Sequence, residues 1–325
     1  MNKVINSLLA AAVIVAAPAA YAADAYPTKP LTVIVPFAAG GPTDTVARLI
    51  AQAMTADLKQ QVTVENVGGA GGTLGAGRVA RAAPDGYTLL VHHIGQATAP
   101  SLYRKLPYKA DDDFAPVGLI TDVPMTIVAR KDFPAKDVTE LLAYLKANKD
   151  KVTYANAGVG SASHLCGMLF MSALDTQLTT VPYKGTGPAM NDLLGGQVDL
   201  MCDQTTNTTS QIKTGAIKAY AVTTKTPVAS LPTLPTLDKS GLPGFEVAVW
   251  HGMYAPKGTP KPIVDRLAKS LQLTLADATV KQRFADLGTE PVSADRATPD
   301  ALDKFVRAEI AKWAPVIKKA GVYAD

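Results

Sequence analysis

The sequence is poor in cysteine, histidine and aromatic residues, and charge of neither sign predominates. Its 32 basic and 28 acidic side chains give a formal net charge of +4. These charges are interspersed, without a basic stripe or interleaved aromatic residues, so we expect no nucleic-acid partner. Hydrophobic residues make up 47% of the chain and charged residues 18%, a composition that indicates well-filled cores and excludes a disordered chain.

The chain contains two cysteines, Cys166 and Cys202. Neither lies in a C-x-x-C motif, which argues against a metal or redox site. In an oxidising compartment they could form a disulfide, with a stabilisation of about 3–4 kcal/mol. Cys166 lies one turn into a predicted helix and Cys202 ends a predicted strand, and both elements meet the same sheet edge, so their Cα atoms could lie within about 7 Å of each other. Spacing does not show proximity, however, and two buried free thiols are the alternative.

The one long apolar run lies at the N-terminus. Lys3 precedes the segment LLAAAVIVAAPA at residues 8–19, and Ala20-Tyr21-Ala22 forms a small-x-small cleavage site. The run is shorter than the roughly 20 residues that cross a bilayer. We therefore predict that residues 1–22 are a signal peptide cleaved after Ala22, and that the mature protein is periplasmic. A retained membrane anchor is the alternative.

Strand and helix patterns alternate along the remaining 300 or so residues, enough for two domains. This alternation predicts an α/β fold with a largely parallel sheet. The predicted strands are residues 31–37, 61–66, 87–92, 125–129, 151–155, 179–183, 198–202, 219–223 and 245–255. The predicted helices are residues 43–58, 73–83, 138–148, 161–174, 189–195, 262–276 and 300–320. Residues 231–243, with three prolines and a glycine, are predicted to be an irregular connection.

Two glycine-rich loops share one pattern, in residues 35–44 (VPFAAGGPTD) and residues 154–161 (YANAGVGS). Each runs from a strand through a glycine loop to a hydroxyl residue, Thr43 or Ser161, that could cap a helix. Such a loop presents free backbone N–H groups and the positive end of a helix dipole at the carboxyl edge of a sheet. Ligands bind at that edge in doubly wound sheets. The pattern therefore predicts two anion-binding half-sites that face each other.

These loops belong to an ordered set of motifs that extends over the mature chain. The set comprises residues 26–30 (YPTKP), 35–44, 82–90 (AAPDGYTLL), 113–117 (DFAPV), 154–158 (YANAG), 181–185 (VPYKG), 192–200 (DLLGGQVDL) and 255–260 (APKGTP). In this order the sequence resembles the solute-binding proteins of tripartite tricarboxylate transporters, often called the Bug family. A single motif such as Leu-Leu-Gly-Gly would be weak evidence, whereas the ordered set is specific.

The resemblance implies a two-lobed type II periplasmic binding protein of the Venus-flytrap kind, in which each lobe is a doubly wound mixed sheet flanked by helices. It implies that the chain crosses between lobes near residues 121–125 and 245–251. Lobe one would then hold residues 26–122 and 249–325, and lobe two residues 123–248. It also implies a small carboxylate ligand held by loop amides and bridging waters, delivery to an inner-membrane permease, and no cofactor. We expect a monomer.

By this resemblance the anion loops correspond to residues 37–44 and 158–164. The candidate ligand-binding residues are Phe37, Ala38, Ala39, Gly40, Thr43, Asp44, His93, Gln96, Gly160, Ser161, Ala162, Ser163, His164, Asp203 and His251. The hydroxyl residues could bind a ligand oxygen, cap a helix, or do both. A carboxylate at position 44 suits an anion site only if it binds its own helix amides or orders a water. Asp203 could instead face a ligand hydroxyl or ammonium group.

All four histidines, at positions 92, 93, 164 and 251, lie at strand ends or loops expected to face the cleft. His164 fits the family pattern, whereas the pair at 92–93 and His251 depart from it. A neutral imidazole could donate a hydrogen bond to a distal carboxylate, and a partly protonated one could pair with it. Stacking on these rings would favour an aromatic or rigid dicarboxylate. Structural roles are the alternative, and a zinc site is disfavoured because no cysteine or carboxylate lies at ligand spacing.

The matches to enzyme motifs in this sequence do not indicate an active site. The G-x-G-x-x-A match at residues 75–80 falls within a predicted helix, and the S-x-x-K and K-T-G matches at residues 210–215 share one lysine. We therefore expect no catalytic activity. A carboxylate sensor for a signalling system and an exported hydrolase are the competing functions. Few arginines fall in the predicted loops, which favours a mono- or dicarboxylate over a tricarboxylate.

Overall fold

The computed structural model describes residues 26–321 and 323–324, so the predicted signal peptide at residues 1–22 lies outside the described residues. Within that described part, none of the helices combines the length and the apolar composition needed to cross a membrane.

Strands and helices alternate through the described residues. The strands are β1 (Leu31–Val35), β2 (Val62–Asn66), β3 (Thr88–His93), β4 (Phe114–Arg130), β5 (Thr153–Asn156), β6 (Thr179–Pro182), β7 (Leu200–Gln204), β8 (Ile217–Val222), β9 (Ala248–Pro256) and β10 (Glu290–Pro291). The helices are α1 (Pro42–Leu58), α2 (Thr73–Ala80), α3 (Gly95–Leu102), α4 (Val138–Ala147), α5 (Ala162–Leu174), α6 (Thr186–Leu194), α7 (Thr205–Lys213), α8 (Lys261–Ala276), α9 (Ala278–Asp286) and α10 (Pro299–Ala320).

The strands follow the order β2-β1-β3-β9-β4-β7-β5-β6, and β8 and β10 also pair with β4. Residues 114–124 of β4 pair with β9, and residues 125–130 pair with β7 and β8. The sheet therefore has two halves joined through β4: a first lobe around β1 and a second lobe around β5. Each half combines parallel and antiparallel pairs. The predicted two-lobed α/β fold with mixed sheets is confirmed.

Local sequence explains the elements of the first lobe. The strand β1 (LTVIV) is buried along nearly its whole length, as expected of a parallel strand covered on both faces. In α1, Val46, Ile50 and Met54 recur every four residues, and all three are fully buried. The predicted strand and helix are thus found within a residue or two of their expected bounds.

The largest error concerns β4, of which only residues 125–129 were predicted. Two prolines and Gly118 interrupt its apolar pattern. Pro116 and Gly118 lie where the register with β9 shifts, and Pro124 is the last residue before the pairing changes from β9 to β7. Three helices were not predicted: α3 contains Pro100, α7 is a run of threonine and other polar residues, and α9 is short. Helix α6 begins at residue 186 rather than 189, because proline is tolerated in a first turn. Residues 237–239 form a 3-10 turn within the segment predicted to be irregular.

A disulfide joins Cys166 of α5 to Cys202 of β7, with Cα atoms 6.1 Å apart. The pairing left open by the sequence is therefore confirmed, and the alternative of two free thiols is wrong. The bond ties together two elements of the second lobe, both of which supply residues to the cavity described next.

Candidate functional site

A small cavity lies where the two lobes meet. The first lobe contributes Phe37, Gly41, Pro42, Thr43 and His93, and the second contributes Ala157, Ser161, Ala162, Ser163, Thr186, Asp203 and Gln204. It leaves about 20 Å³ for the centres of water molecules, the room that about one water needs. The lobes are therefore closed on each other around this cavity.

Helix N-termini surround this cavity. The first residues of α1, α5 and α6, and Gln204 at the N-cap of α7, all lie on its wall. The first N–H groups of a helix have no partner inside the helix, and the helix dipole adds partial positive charge there. The sequence predicted the contributions of α1 and α5 and missed those of α6 and α7. No lysine or arginine is among the lining residues, so these helix ends supply the positive potential of the cavity wall.

In the first lobe, Thr43 is not the helix cap that the sequence pattern suggested. The N-cap of α1 is Gly41, which makes no side-chain cap hydrogen bond, and Pro42 takes the first helical position. Because Thr43 then falls inside the helix, its hydroxyl is directed elsewhere: Oγ1 lies 3.3 Å from Nε2 of His251.

Asp44 braces the loop that it follows. Its carboxylate accepts hydrogen bonds from the backbone N–H of Gly40 (3.0 Å), from Nε of Arg48 (2.9 Å) and from Nδ2 of Asn66 (2.9 Å). Burial acts to raise the pKa of this carboxyl, but these donors hold it below its ordinary value. The backbone amide that Asp44 binds, that of Gly40, belongs to the preceding loop. The expected hydrogen bond from Asp44 to the amides of its own helix is therefore not the one observed. The charge of Asp44 is instead neutralised by the arginine one turn later.

In the second lobe, Ser161 caps α5 as the sequence predicted. Its Oγ accepts from the N–H of His164 at 3.2 Å and lies 3.1 Å from Oγ of Ser163. The Ser163 hydroxyl accepts in turn from the N–H of Ala157 at 2.8 Å. Tyr154 connects this loop to β7, because its hydroxyl donates to the carbonyl of Ser163 at 2.8 Å and accepts from the N–H of Cys202 at 3.1 Å.

The four histidines occupy different depths. His93 lines the cavity and stacks on Phe37, with ring centroids 4.6 Å apart, whereas His92 and His251 are buried and absent from the cavity wall. His164 is also absent from the wall, and its Nδ1 accepts weakly from the N–H of Gly160 at 3.4 Å. His251 therefore lies behind two wall residues, Thr43 and His93.

Burial governs the protonation of these rings. It lowers the pKa of His93 to about 3, lowers the pKa of His92 and His251 well below the ordinary value, and lowers that of His164 in the same direction. All four imidazoles are thus neutral near pH 7 in this closed state. The structure gives no support to the expectation of a partly protonated ring.

Gln96, another predicted ligand residue, does not line the cavity. It is fully buried in the first lobe, and its Nε2 donates to the carbonyl of Ala110 at 3.1 Å. The loop residues Ala38, Ala39, Gly40 and Gly160 do not line the cavity either. They lie instead where the lobes touch: the N–H of Ala38 donates to the carbonyl of Lys184 across the cleft at 2.9 Å.

Asp203 and Gln204 end β7 on the cavity wall, and both are almost fully buried. Oδ2 of Asp203 accepts from Nδ2 of Asn207 at 2.6 Å, and burial raises the pKa of this carboxyl to about 6. Oε1 of Gln204 is buried without a hydrogen-bond partner. Sequence reasoning predicted Asp203 and missed its neighbour, although both directly follow a buried strand. It also missed Gly41, Pro42, Ala157 and Thr186.

Within the described residues, no group of three or more histidine, cysteine, aspartate or glutamate side chains is arranged to hold a metal ion.

The chain is similar to known proteins over most of its length. The family model of the tripartite tricarboxylate transporter family receptor matches residues 46–322. A UPF0065 protein from the TAR-I ttuE-ttuC' intergenic region of Agrobacterium vitis is 56% identical over 302 residues, covering 93% of this chain and 87% of the relative. Protein BugT of Bordetella pertussis is 36% identical over 304 residues, covering 92% of this chain and 91% of the relative.

Solved structures show the same similarity. The periplasmic binding protein BugD matches with a TM-score of 0.90 and 57% identity, over 92% of this chain and 99% of that one. MatC from Rhodopseudomonas palustris, with bound malate, matches with a TM-score of 0.87 and 44% identity, over 90% and 100%. An R. palustris protein with adipate matches with a TM-score of 0.87 and 34% identity, over 92% and 99%.

Proposed function

Because this chain belongs to the tripartite tricarboxylate transporter receptor family and is a solute-binding receptor of that family, we propose that it captures a small mono- or dicarboxylate in the periplasm. It then delivers this ligand to the inner-membrane permease of a tripartite tricarboxylate transporter. The convergence of four helix N-termini on one closed cavity carries this proposal, because such ends bind carboxylates through backbone N–H groups.

The wall of the cavity favours a ligand of low charge. The positive potential there comes from helix dipoles, each of which contributes about 0.3–1 kcal/mol to an anion at its end, and no cationic side chain adds to it. A tricarboxylate would place three charges in a site without lysine or arginine. One or two carboxylates suit this wall better, because the helix N-termini reach the cavity from two sides, α1 from the first lobe and α5, α6 and α7 from the second.

The same wall favours an aliphatic ligand over an aromatic one. Phe37 stacks on one face of the His93 ring, and His251 meets that ring edge-on at a centroid distance of 6.0 Å. Little of the imidazole face remains for a ligand ring. The malate of MatC and the adipate of the R. palustris protein are aliphatic dicarboxylates, and this supports the same preference.

We divide the candidate residues by position. Those on the cavity wall contact the ligand: Phe37, Thr43, His93, Ser161, Ala162, Ser163, Thr186, Asp203 and Gln204. The remaining candidates hold the loops in shape or meet across the cleft: Ala38, Ala39, Gly40, Asp44, Gly160, His164 and His251. Gln96 supports the core of lobe one. The lobes themselves divide as 26–122 plus 249–325 and 123–248, which is supported by the change of pairing partners along β4 between residues 124 and 125.

A thermal-shift screen with malate, succinate, adipate and benzoate tests this function. A ligand at 100 times its dissociation constant stabilises the folded state by about 2.7 kcal/mol. Stabilisation by an aliphatic dicarboxylate and not by benzoate is the expected result. Carboxylate uptake by cells should then fail when the gene is deleted and recover when it is restored. Uptake that is unaffected, together with carboxylate-dependent signalling that is lost, would instead favour the sensor, and turnover of the bound ligand would favour the hydrolase.

A further inference from the structure

Asp203 is the one feature of the cavity that opposes an anion. Asp203 is the only acidic residue among those that line the cavity. No ion pair within the described residues includes it. Asp203 is 1% exposed. It accepts hydrogen bonds from Asn207, Thr186 and the N–H of Gln204, all of which are neutral groups.

The groups that surround Asp203 from each neighbouring element are also uncharged. They are Thr126 of β4, Tyr154 of β5, Thr186 of α6, Asn207 of α7, and Thr43 and His93 across the cleft. Burial keeps the Tyr154 phenol protonated by raising its pKa, and it keeps His93 neutral by lowering its pKa. None of these groups is therefore a cation that could offset a second negative charge.

A ligand carboxylate that enters this cavity places its charge beside that of Asp203. Two carboxylates that share a dry site do not both stay ionised, because each raises the pKa of the other. Burial in the closed state has already raised the pKa of Asp203 to about 6. The charge of the ligand must then raise that pKa to above about 8.5 for the side chain to hold a full proton between pH 7 and 8.5.

We propose that the protein binds its carboxylate together with one proton from solvent, which Asp203 carries and donates as a hydrogen bond to a ligand oxygen. When the lobes open, the ligand leaves and the proton returns to solvent. Asp203 thereby becomes a specificity-determining residue: it accepts ligands with an oxygen acceptor at that end of the cavity. This inference rests on the proposed carboxylate function.

A competing arrangement uses the ionised carboxylate to pair with an ammonium group of the ligand, as in an amino acid. The two arrangements differ in proton balance. Proton donation requires uptake of one proton per ligand above the pKa of Asp203, whereas an ammonium pair requires none. They also differ in the effect of an amide at position 203, which imitates the protonated acid but cannot pair with a cation.

Calorimetry of the mature protein with malate, succinate and adipate tests the proposal. Titrations at pH 7.5 in phosphate and in Tris, which have different ionisation enthalpies, count the protons taken up. We expect one proton per ligand and a dissociation constant that rises about tenfold per pH unit between pH 7 and 8.5. The Asp203→Asn variant should take up no proton and should bind up to about 100-fold more tightly than the wild type at pH 8.

The matched control is Asp132→Asn, which makes the same change of charge at a side chain that is 80% exposed and bonded to Arg130. It should keep the proton count and pH dependence of the wild type. Binding by the wild type without proton uptake would overturn the proposal even if the variant failed to fold. Weaker binding of Asp203→Asn at every pH would also overturn it, because an amide at this position keeps the hydrogen-bond donor that the protonated acid supplies. No binding of any probe would overturn the proposed function itself.

Discussion

Replacement of Gly187 by alanine should weaken ligand binding without unfolding the protein. Gly187 is the second residue of α6, and its backbone conformation is one that any residue adopts. An added Cβ would lie 2.6 Å from the carbonyl oxygen of Ala39, 3.0 Å from the carbonyl carbon of Gly40 and 3.1 Å from the nitrogen of Gly41. All three are backbone atoms of the opposite lobe, so no side-chain rotation relieves the contact.

The penalty falls on the closed state. Overpacking of this kind costs about 1–3 kcal/mol, which corresponds to a roughly 5- to 160-fold weaker affinity if ligand is held only when the lobes close. The open state has no such contact, and alanine is favoured over glycine in a helix by up to about 1 kcal/mol. The free energy of unfolding of the open protein should therefore be unchanged or slightly higher.

Calorimetry with malate and thermal unfolding without ligand measure these two effects separately. The control is Gly195→Ala at the end of the same helix, where φ is −80° and the nearest atom to an added Cβ lies 3.4 Å away within the second lobe. That variant should bind as the wild type does. If Gly187→Ala also kept wild-type affinity, closure of Ala39 onto α6 would not be required for binding and the reasoning would be refuted.

Three further changes have expected outcomes. Replacing Cys166 and Cys202 by serine should lower the free energy of unfolding by about 3–4 kcal/mol in urea titrations, since the bond closes a loop across a separation of 36 residues; an unchanged value would deny the bond a role in stability. The Asp203 carboxyl releases its proton near pH 4 when unfolded and near pH 6 when folded, so its contribution to stability falls between these values as pH rises. Asp203→Asn should thus stabilise the ligand-free protein at pH 7.5 by up to about 3 kcal/mol and have little effect at pH 4, as measured by denaturation at both pH values; equal effects would contradict the shift. Thr43→Ala should cost about 1 kcal/mol of ligand affinity by calorimetry, and no loss would mean that its hydroxyl serves His251 alone.

Elements whose signals are local could be predicted from the sequence. The apolar period of α1 and the buried run of β1 are readable because each depends on neighbours in the chain. The capping role of Ser161 follows in the same way, since a cap bonds its own helix three residues on. The ordered motifs also placed both anion loops, because their glycines and helix starts lie within a few residues of one another.

Tertiary structure alone decided which distant residues meet. Helix α7 consists of polar and β-branched residues that favour no helix on their own, yet its first turns are buried between the lobes. Its N-terminus joins the cavity only because β7 ends there. The pairing of Cys166 with Cys202 was likewise undecided until α5 packed against β7.

The depth of each polar side chain was also beyond the reach of the sequence. His93 and His251 lie on adjacent antiparallel strands as a register pair, yet His93 lines the cavity whereas His251 lies behind Thr43 and His93. Asp203 acquires its raised pKa from burial, against which the hydrogen bonds from Asn207, Gln204 and Thr186 act. The depth of a side chain and its pKa both depend on how much water folding removes from around it. That desolvation depends on all the groups that surround the side chain in the folded protein, and not only on its neighbours in the chain.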